Sequence, residues 1–177
     1  LRRLLAAAPA EPPLPAVAAP PDAMAHLDWL RARHPDVTER AARQVAAARA
    51  GMEMTLPGPV GEENRYATRP RGVVLCRAAT REELLVQVAA ALATGNAARV
   101  AGPAEALHAL PERITDRVKP DDGAAFDAVL FDGERNALHA LLPEVAASHG
   151  PIRPVVTRDP DAAIYVTDML MAERVIT

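Results

Sequence analysis

The sequence predicts an α/β fold, in which a small parallel sheet with flanking helices follows two helices and a projecting β-hairpin flap. Three observations predict it. Short apolar runs alternate with segments of helical period at the spacing of β-α-β units. A Pro/Gly-rich stretch without helical period separates this alternation from two capped helical segments. The chain has 177 residues, the usual size of one domain.

Six of the 17 prolines fall between Pro9 and Pro21, interleaved with alanine. Proline fixes φ and removes a donor, so residues 1–21 read as a semi-extended linker, with an upstream domain expected before it. The chain opens at Leu1 and not Met, which fits a fragment of something longer. The domain is then 22–177. Asp22 is an N-cap candidate for a helix through about Arg33, stopped by Pro35. Asp36 and Glu39 have capping-box spacing and open a second helix that ends at Gly51. From Met54 to Arg71 the turn residues Pro57, Gly58 and Gly61 separate two extended arms, the flap.

Gly72–Arg77 is an apolar run suited to a strand buried on both faces. Thr80 and Glu83 form another capping box, before a helix with Leu84, Leu85, Val88 and Leu92 on one stripe; Gly95-Asn96 ends it. Ala97–Ala101 reads as a strand, Ala104–Leu110 as a short helix and Phe126–Phe131 as a strand. Glu134–Ser148 is a helix with Leu138, Leu141, Leu142 and Val145 on one side. Ile152–Val156 and Ala162–Val166 are two more short strands, and Thr167–Thr177 begins as a helix. Parallel β-α-β units of this kind make a small Rossmann-like sheet with right-handed crossovers.

Composition removes several function classes. Half the residues are hydrophobic, but 39 are alanine and aromatics are only 3%. The core must come from Val, Leu, Ile and closely packed Ala-rich helices. Twenty basic against 23 acidic residues give no polyelectrolyte reason to bind nucleic acid. No apolar run reaches the length of a membrane span, and residues 1–8 are too short for a signal peptide. The single cysteine, Cys76, excludes an internal disulfide and a cysteine-built zinc site; inside a buried strand it reads as a small hydrophobe. The five histidines form no metal-binding pair and read as surface or helix-end residues, His149 among them. Ser148 is the only serine and stands in no nucleophile motif. The pairs Asp121-Asp122 and Asp159/Asp161 read as solvated turns. A dinucleotide site needs glycines where a strand turns into a helix. The first such turn is Ala78-Ala79-Thr80, and the turn after Phe131 is Asp132-Gly133-Glu134, whose carboxylates would repel phosphate.

Two stretches carry a resemblance. YATRPRGVVL at Tyr66–Leu75 and AAALATGN at Ala89–Asn96 resemble the cofactor domain of the aldehyde dehydrogenase superfamily. LPGPVGEENRY at Leu56–Tyr66, PRGVVLC at Pro70–Cys76 and MAERVIT at Met171–Thr177 look like the C-terminal domain of long bifunctional proline utilization A enzymes, which join proline dehydrogenase to glutamate-semialdehyde dehydrogenase. The resemblance covers 54–177. This sequence departs from the superfamily at every functional position. Ala78-Ala79-Thr80 stands where the enzymes carry the oxyanion-binding Asn. Ala101-Gly102-Pro103 stands where they carry a ribose-binding Lys. Asp132-Gly133-Glu134-Arg135 replaces a Gly-Ser-Thr turn, and Thr157-Arg158-Asp159-Pro160 replaces Glu-Leu-Gly-Gly. The nucleophilic Cys has no counterpart.

The resemblance therefore implies a non-catalytic domain without cofactor or metal of its own. The parent would use FAD and NAD elsewhere. Its partners would be other domains or subunits of the same parent, onto which it packs to enclose the intermediate-channelling path and support assembly. The interaction residues expected in the flap are Leu56, Pro57, Gly58, Pro59, Gly61 and Tyr66. An exposed apolar surface is expected at Met52, Met54 and Leu56 and on the helix bearing Trp29 and Leu30. The implied location is cytoplasmic, with a peripheral place at the inner membrane for the parent. The competing reading is a small-molecule or nucleotide sensor using the Rossmann-like cleft; an independent enzyme is a third.

Overall fold

The computed structural model describes residues 15–58, 61–159 and 164–176. Of the expected linker, residues 1–14 lie outside the described residues, and 15–20 have no regular structure before helix α1, Pro21–Arg33. Asp22 does not cap this helix. Pro21 starts it, its fixed φ being already helical, and the Asp22 carboxylate instead meets Arg113 at 3.0 Å and Arg117 at 3.7 Å. Helix α2, Pro35–Ala47, also starts on a proline and has no side-chain cap, so the expected Asp36/Glu39 box is not formed. Ala48 is extended, and the chain turns at Gly51 with φ +74°.

The flap is a hairpin as expected. Strand β1, Glu53–Leu56, pairs antiparallel with β2, Asn64–Pro70, with Met54 opposite Tyr66. It is not a lone ribbon. After a 3-10 turn at Thr167–Leu170, the chain end expected to be helical runs as strand β8, Met171–Ile176, and pairs with β2. The order is β1-β2-β8. An open edge of β2 supplies hydrogen bonds that override the local helical pattern, and a third strand gives the ribbon the stability two strands lack in water.

The second sheet is wholly parallel. Its strands are β3 (Val73–Ala78), β4 (Ala97–Ala101), β5 (Val118–Pro120), β6 (Ala128–Asp132) and β7 (Val155–Thr157), in the order β5-β4-β3-β6-β7. Strand β5 and the short helix α4 at Glu112–Thr115 carry no sequence signal of the kind used above. Pro120 fits at the edge, where a ladder donor is not needed. The last strand expected, Ala162–Val166, lies partly outside the described residues; Tyr165 makes an isolated antiparallel bridge to Arg158.

Helix α3, Arg81–Ala93, lies between this sheet and the α1/α2 pair. Leu84 to Ala93 are all buried, so beyond its first turn the helix has no solvent face. Ala89, Ala90, Ala91 and Ala93 allow helices to approach on the sides away from the Leu84/Leu85/Val88/Leu92 stripe. Thr80 accepts the Glu83 N–H at 3.2 Å, one half of the expected capping box; the Glu83 carboxylate does not return the bond but turns to Tyr165 and Arg40. At the other end Asn96 N–H bonds Ala91 C=O and Gly95 N–H bonds Leu92 C=O, each at 3.0 Å. Gly95 at φ +75° makes this left-handed cap possible.

Alternation along β3 and β6 divides the interior. Val74, Cys76, Ala128 and Leu130 face α3; Leu75, Val129 and Phe131 face helix α5, Arg135–Ala146, through Leu141 and Val145. Of the apolar surface expected, Trp29, Leu30 and Met52 are buried inside the domain, whereas Met54 and Leu56 are half-buried. Exposed apolar side chains lie at Met24 on α1 and at Leu142, Ile152, Val166, Met169, Val175 and Ile176. His26 is also buried, not a surface residue. His34 does sit at a helix end, between α1 and α2, whereas His149 lies beyond the end of α5. Among the described residues no helix is long and apolar enough to cross a membrane.

Candidate functional site

Two places could carry function: the crevice where strand order reverses, and the groove under the flap. The order β5-β4-β3-β6-β7 puts the switch point between β3 and β6, where open α/β sheets bind ligands beyond their carboxyl ends. The loop ends here are tied together, because the Ala79 N–H donates to Asp132 C=O at 3.1 Å. That amide is engaged and not free for a phosphate oxygen. Gly102 lies against this loop, where a Cβ would come within 3.2 Å of Ala78 C=O. Burial, and then the charge of Glu83, raises the Asp132 carboxyl above its ordinary range, while Arg158 and Arg40 pull it down. Glu134 stands at the N-cap of α5 with no side-chain cap bond. A dinucleotide's pyrophosphate needs free amides and no opposing carboxylate, and here the Ala79 amide is engaged while Glu134 stands at a helix start. Among the described residues no three His, Cys, Asp or Glu side chains come together as a metal site. Cys76 is fully buried, and desolvation pushes its thiol up, away from the thiolate a nucleophile needs.

Behind the crevice lies a buried polar network that sequence reasoning missed. The Tyr165 hydroxyl donates to Glu83 Oε1 at 2.8 Å and accepts from Gln87 Nε2 at 2.9 Å. Gln44 clamps the Tyr165 backbone from both sides, accepting its N–H and donating to its C=O at 2.9 Å each. Arg40 donates to the second Glu83 oxygen. Gln44 and Gln87 within apolar helical segments were the available signal, since buried amides require partners. The network fixes the segment leading to β8. Asn96 fixes it again, accepting Gly72 N–H at 2.8 Å and donating to Leu170 C=O at 2.9 Å.

Under the flap is an open groove of about 650 Å³. Three of the expected flap residues, Leu56, Pro57 and Tyr66, line it together with Met52, Met54 and Met171. Gly58 packs on Asn64 instead: a Cβ there would fall 2.5 Å from the Asn64 amide nitrogen. Gly61 sits at the hairpin tip with φ +96° and open space around it. Pro59 lies outside the described residues. The polar lining includes Asp168 and Glu173. Tyr66 donates its hydroxyl to Glu173 at 2.9 Å. Desolvation first, then this bond and the charges of Glu173 and Asp168, raises the phenol above its usual value.

No protein-family profile matches the chain. The bifunctional protein PutA of Rhizobium meliloti is 34% identical over 188 aligned positions, covering 98% of this chain and 15% of the relative. PutA of Escherichia coli is 38% identical over 135 positions, covering 71% of this chain and 10% of the relative. The chain thus spans a small part of the length of these relatives. Among solved structures, a Bradyrhizobium japonicum proline utilization A variant superposes with a TM-score of 0.55 at 26% identity, over 70% of this chain and 15% of that one. Staphylococcus aureus AldH superposes with a TM-score of 0.58 at 13% identity, over 77% of this chain and 40% of that one, a likeness of fold alone. The chain is homologous to a segment of the bifunctional PutA proteins and has an aldehyde-dehydrogenase-like α/β fold.

Proposed function

We propose that this segment is a non-catalytic domain of a proline-catabolic bifunctional enzyme, which packs on the dehydrogenase domains, helps enclose the path of the intermediate and supports assembly. The observation that carries the reading is the contrast between the two candidate places. The crevice has its Ala79 amide engaged by the Asp132 carbonyl and has Glu134 at the N-cap of α5. The flap sheet, by contrast, is anchored to the body at Asn96 and presents an open apolar groove. FAD and NAD belong, on this reading, to other domains of the parent, and the interaction residues are Leu56, Pro57, Gly58, Pro59, Gly61 and Tyr66. The location of such a parent is cytoplasmic.

Deleting residues 56–66 from the full-length parent tests this. Each half-reaction assayed alone should stay nearly intact. The coupled conversion of proline to glutamate should show a lag as intermediate escapes to bulk solvent. An unchanged time course together with unchanged assembly refutes docking by the flap. Collapse of one half-reaction refutes the non-catalytic role.

A further inference from the structure

The flap groove also says what kind of segment it receives. Its apolar lining is unusually soft. Met54 is unbranched and half-buried at the surface of the groove, over Met52 and Met171, which are buried beneath it. Its charge is net acidic, two carboxylates, Asp168 and Glu173, against one guanidinium, Arg49. On β8, Glu173 lies opposite Thr68, on the sheet face that also bears Met54 and Tyr66. Asp168 reaches the same space from the 3-10 turn before β8. The Tyr66 hydroxyl serves one Glu173 oxygen. Among the described residues no Arg, Lys or His nitrogen comes within ion-pair distance of either carboxylate, Arg49 at the groove wall included. The arginines of this small sheet stand on its other face: Arg65 with Glu63, Arg69 with Glu53, and Arg174.

We infer that the inner face of the flap sheet takes an extended segment of the partner domain bearing aliphatic side chains beside a basic one, the aliphatic groups resting on Met54 and Leu56 and the cation meeting Asp168 and Glu173. This rests on the docking function proposed above and specifies the chemistry of the partner. Apolar contact supplies area without direction, and the carboxylate pair supplies register and rejects an acidic segment. A second copy of this chain is a poorer occupant of the neighbouring edge. Antiparallel pairing of β8 with itself, centred on the strand, sets Glu173 against Glu173 or Arg174 against Arg174, and like charges directly opposite are unfavourable.

The test uses the chain itself and three blocked heptapeptides of sequence Thr-Leu-Thr-X-Thr-Leu-Thr, with X as Arg, Gln or Glu. In a strand the two Leu and X share one face. Methyl NMR titration should shift Met54, Met171 and Leu56, with the Arg peptide binding at least about fivefold more tightly than the Glu peptide. That preference should shrink as salt rises from about 0.05 to about 0.3 M, and vanish in the Asp168→Asn/Glu173→Gln double variant. Equal binding of all three peptides in the groove overturns the basic-partner inference while leaving docking by the flap intact. Perturbations confined to other surfaces, or none, overturn it too, and the 56–66 deletion then decides the docking reading separately. Concentration-dependent dimerisation through this face, seen by sedimentation equilibrium, also overturns it, since the occupant is then a second copy.

Discussion

His26 is the residue on which the packing of the first helix turns. Its Nε2 lies 3.1 Å from Leu85 C=O, the ring stacks near Trp29, and no water-exposed face remains. Burial lowers its pKa from 6.5 to about 4, with the bond to Leu85 opposing and His34 adding a little. Above pH 6.5 both folded and unfolded chains hold the neutral ring. Between pH 6.5 and 4 the unfolded chain takes up the proton and the folded one does not, so stability falls as pH drops through this window. At pH 5 the loss is about 2 kcal/mol. Urea unfolding at pH 7 and pH 5 should show this loss for the wild-type chain and most of it removed in His26→Gln, which does not titrate. Equal pH dependence in the two proteins would assign the effect elsewhere. Tyr165→Phe addresses the other buried node. It removes the hydroxyl between Glu83 and Gln87 and should cost roughly 1–3 kcal/mol in chemical denaturation, because buried polar groups lose a partner. A change within measurement error would mean the network relaxes without it.

At the scale of elements, strand β8 depends on contacts far away in sequence. Asn96 holds the chain that leads into it and, through Gly72, the chain that leaves β2. Asn96→Ala should destabilise the domain by about 2 kcal/mol, with three side-chain bonds lost, to Gly72, Thr94 and Leu170. It should also speed hydrogen exchange at the β2–β8 rungs more than at the centre of β3. Uniform acceleration across both sheets would contradict a local tether. The β3/β6 crevice gives a negative expectation. With the Ala79 amide bonded to the Asp132 carbonyl and Glu134 at the N-cap of α5, titration calorimetry with millimolar NAD should show no heat of binding. A dissociation constant below about 1 mM, some -4 kcal/mol, would overturn it.

The whole molecule is lopsided. Among the described residues, one face of the parallel sheet is covered by α3 and then by α1 and α2, the other by α5 alone. The thin side leaves Leu142 at 44% and Ile152 at 91% exposure. Ile152→Thr should therefore change the stability of the isolated chain by less than about 0.5 kcal/mol. If the thin side packs on the parent's dehydrogenase domains, the same substitution in the full-length enzyme should weaken that packing, read as a lower midpoint of thermal unfolding. A large loss in the isolated chain would show that Ile152 contributes to its own core.

The alternation of apolar runs and capped helices was enough for the α/β class and for most of the parallel strands, because each signal is local: Thr80 before α3, Gly95-Asn96 after it, and the turn residues Pro57, Gly58 and Gly61 in the flap. The resemblance to the proline utilization A enzymes was legible in the same way, in short contiguous motifs. What tertiary structure decided was everything that depends on a distant partner. Met171–Ile176 became a strand because β2, some hundred residues earlier, offers an open edge. Trp29, Leu30 and His26 went inside because α1 covers the Ala-rich side of α3. Leu56, Pro57 and Tyr66 formed a groove only once Asp168, Met171 and Glu173 closed its far side. Local periodicity encodes which face of an element is apolar, but not which other element will cover it, since that choice belongs to the packing of the whole chain.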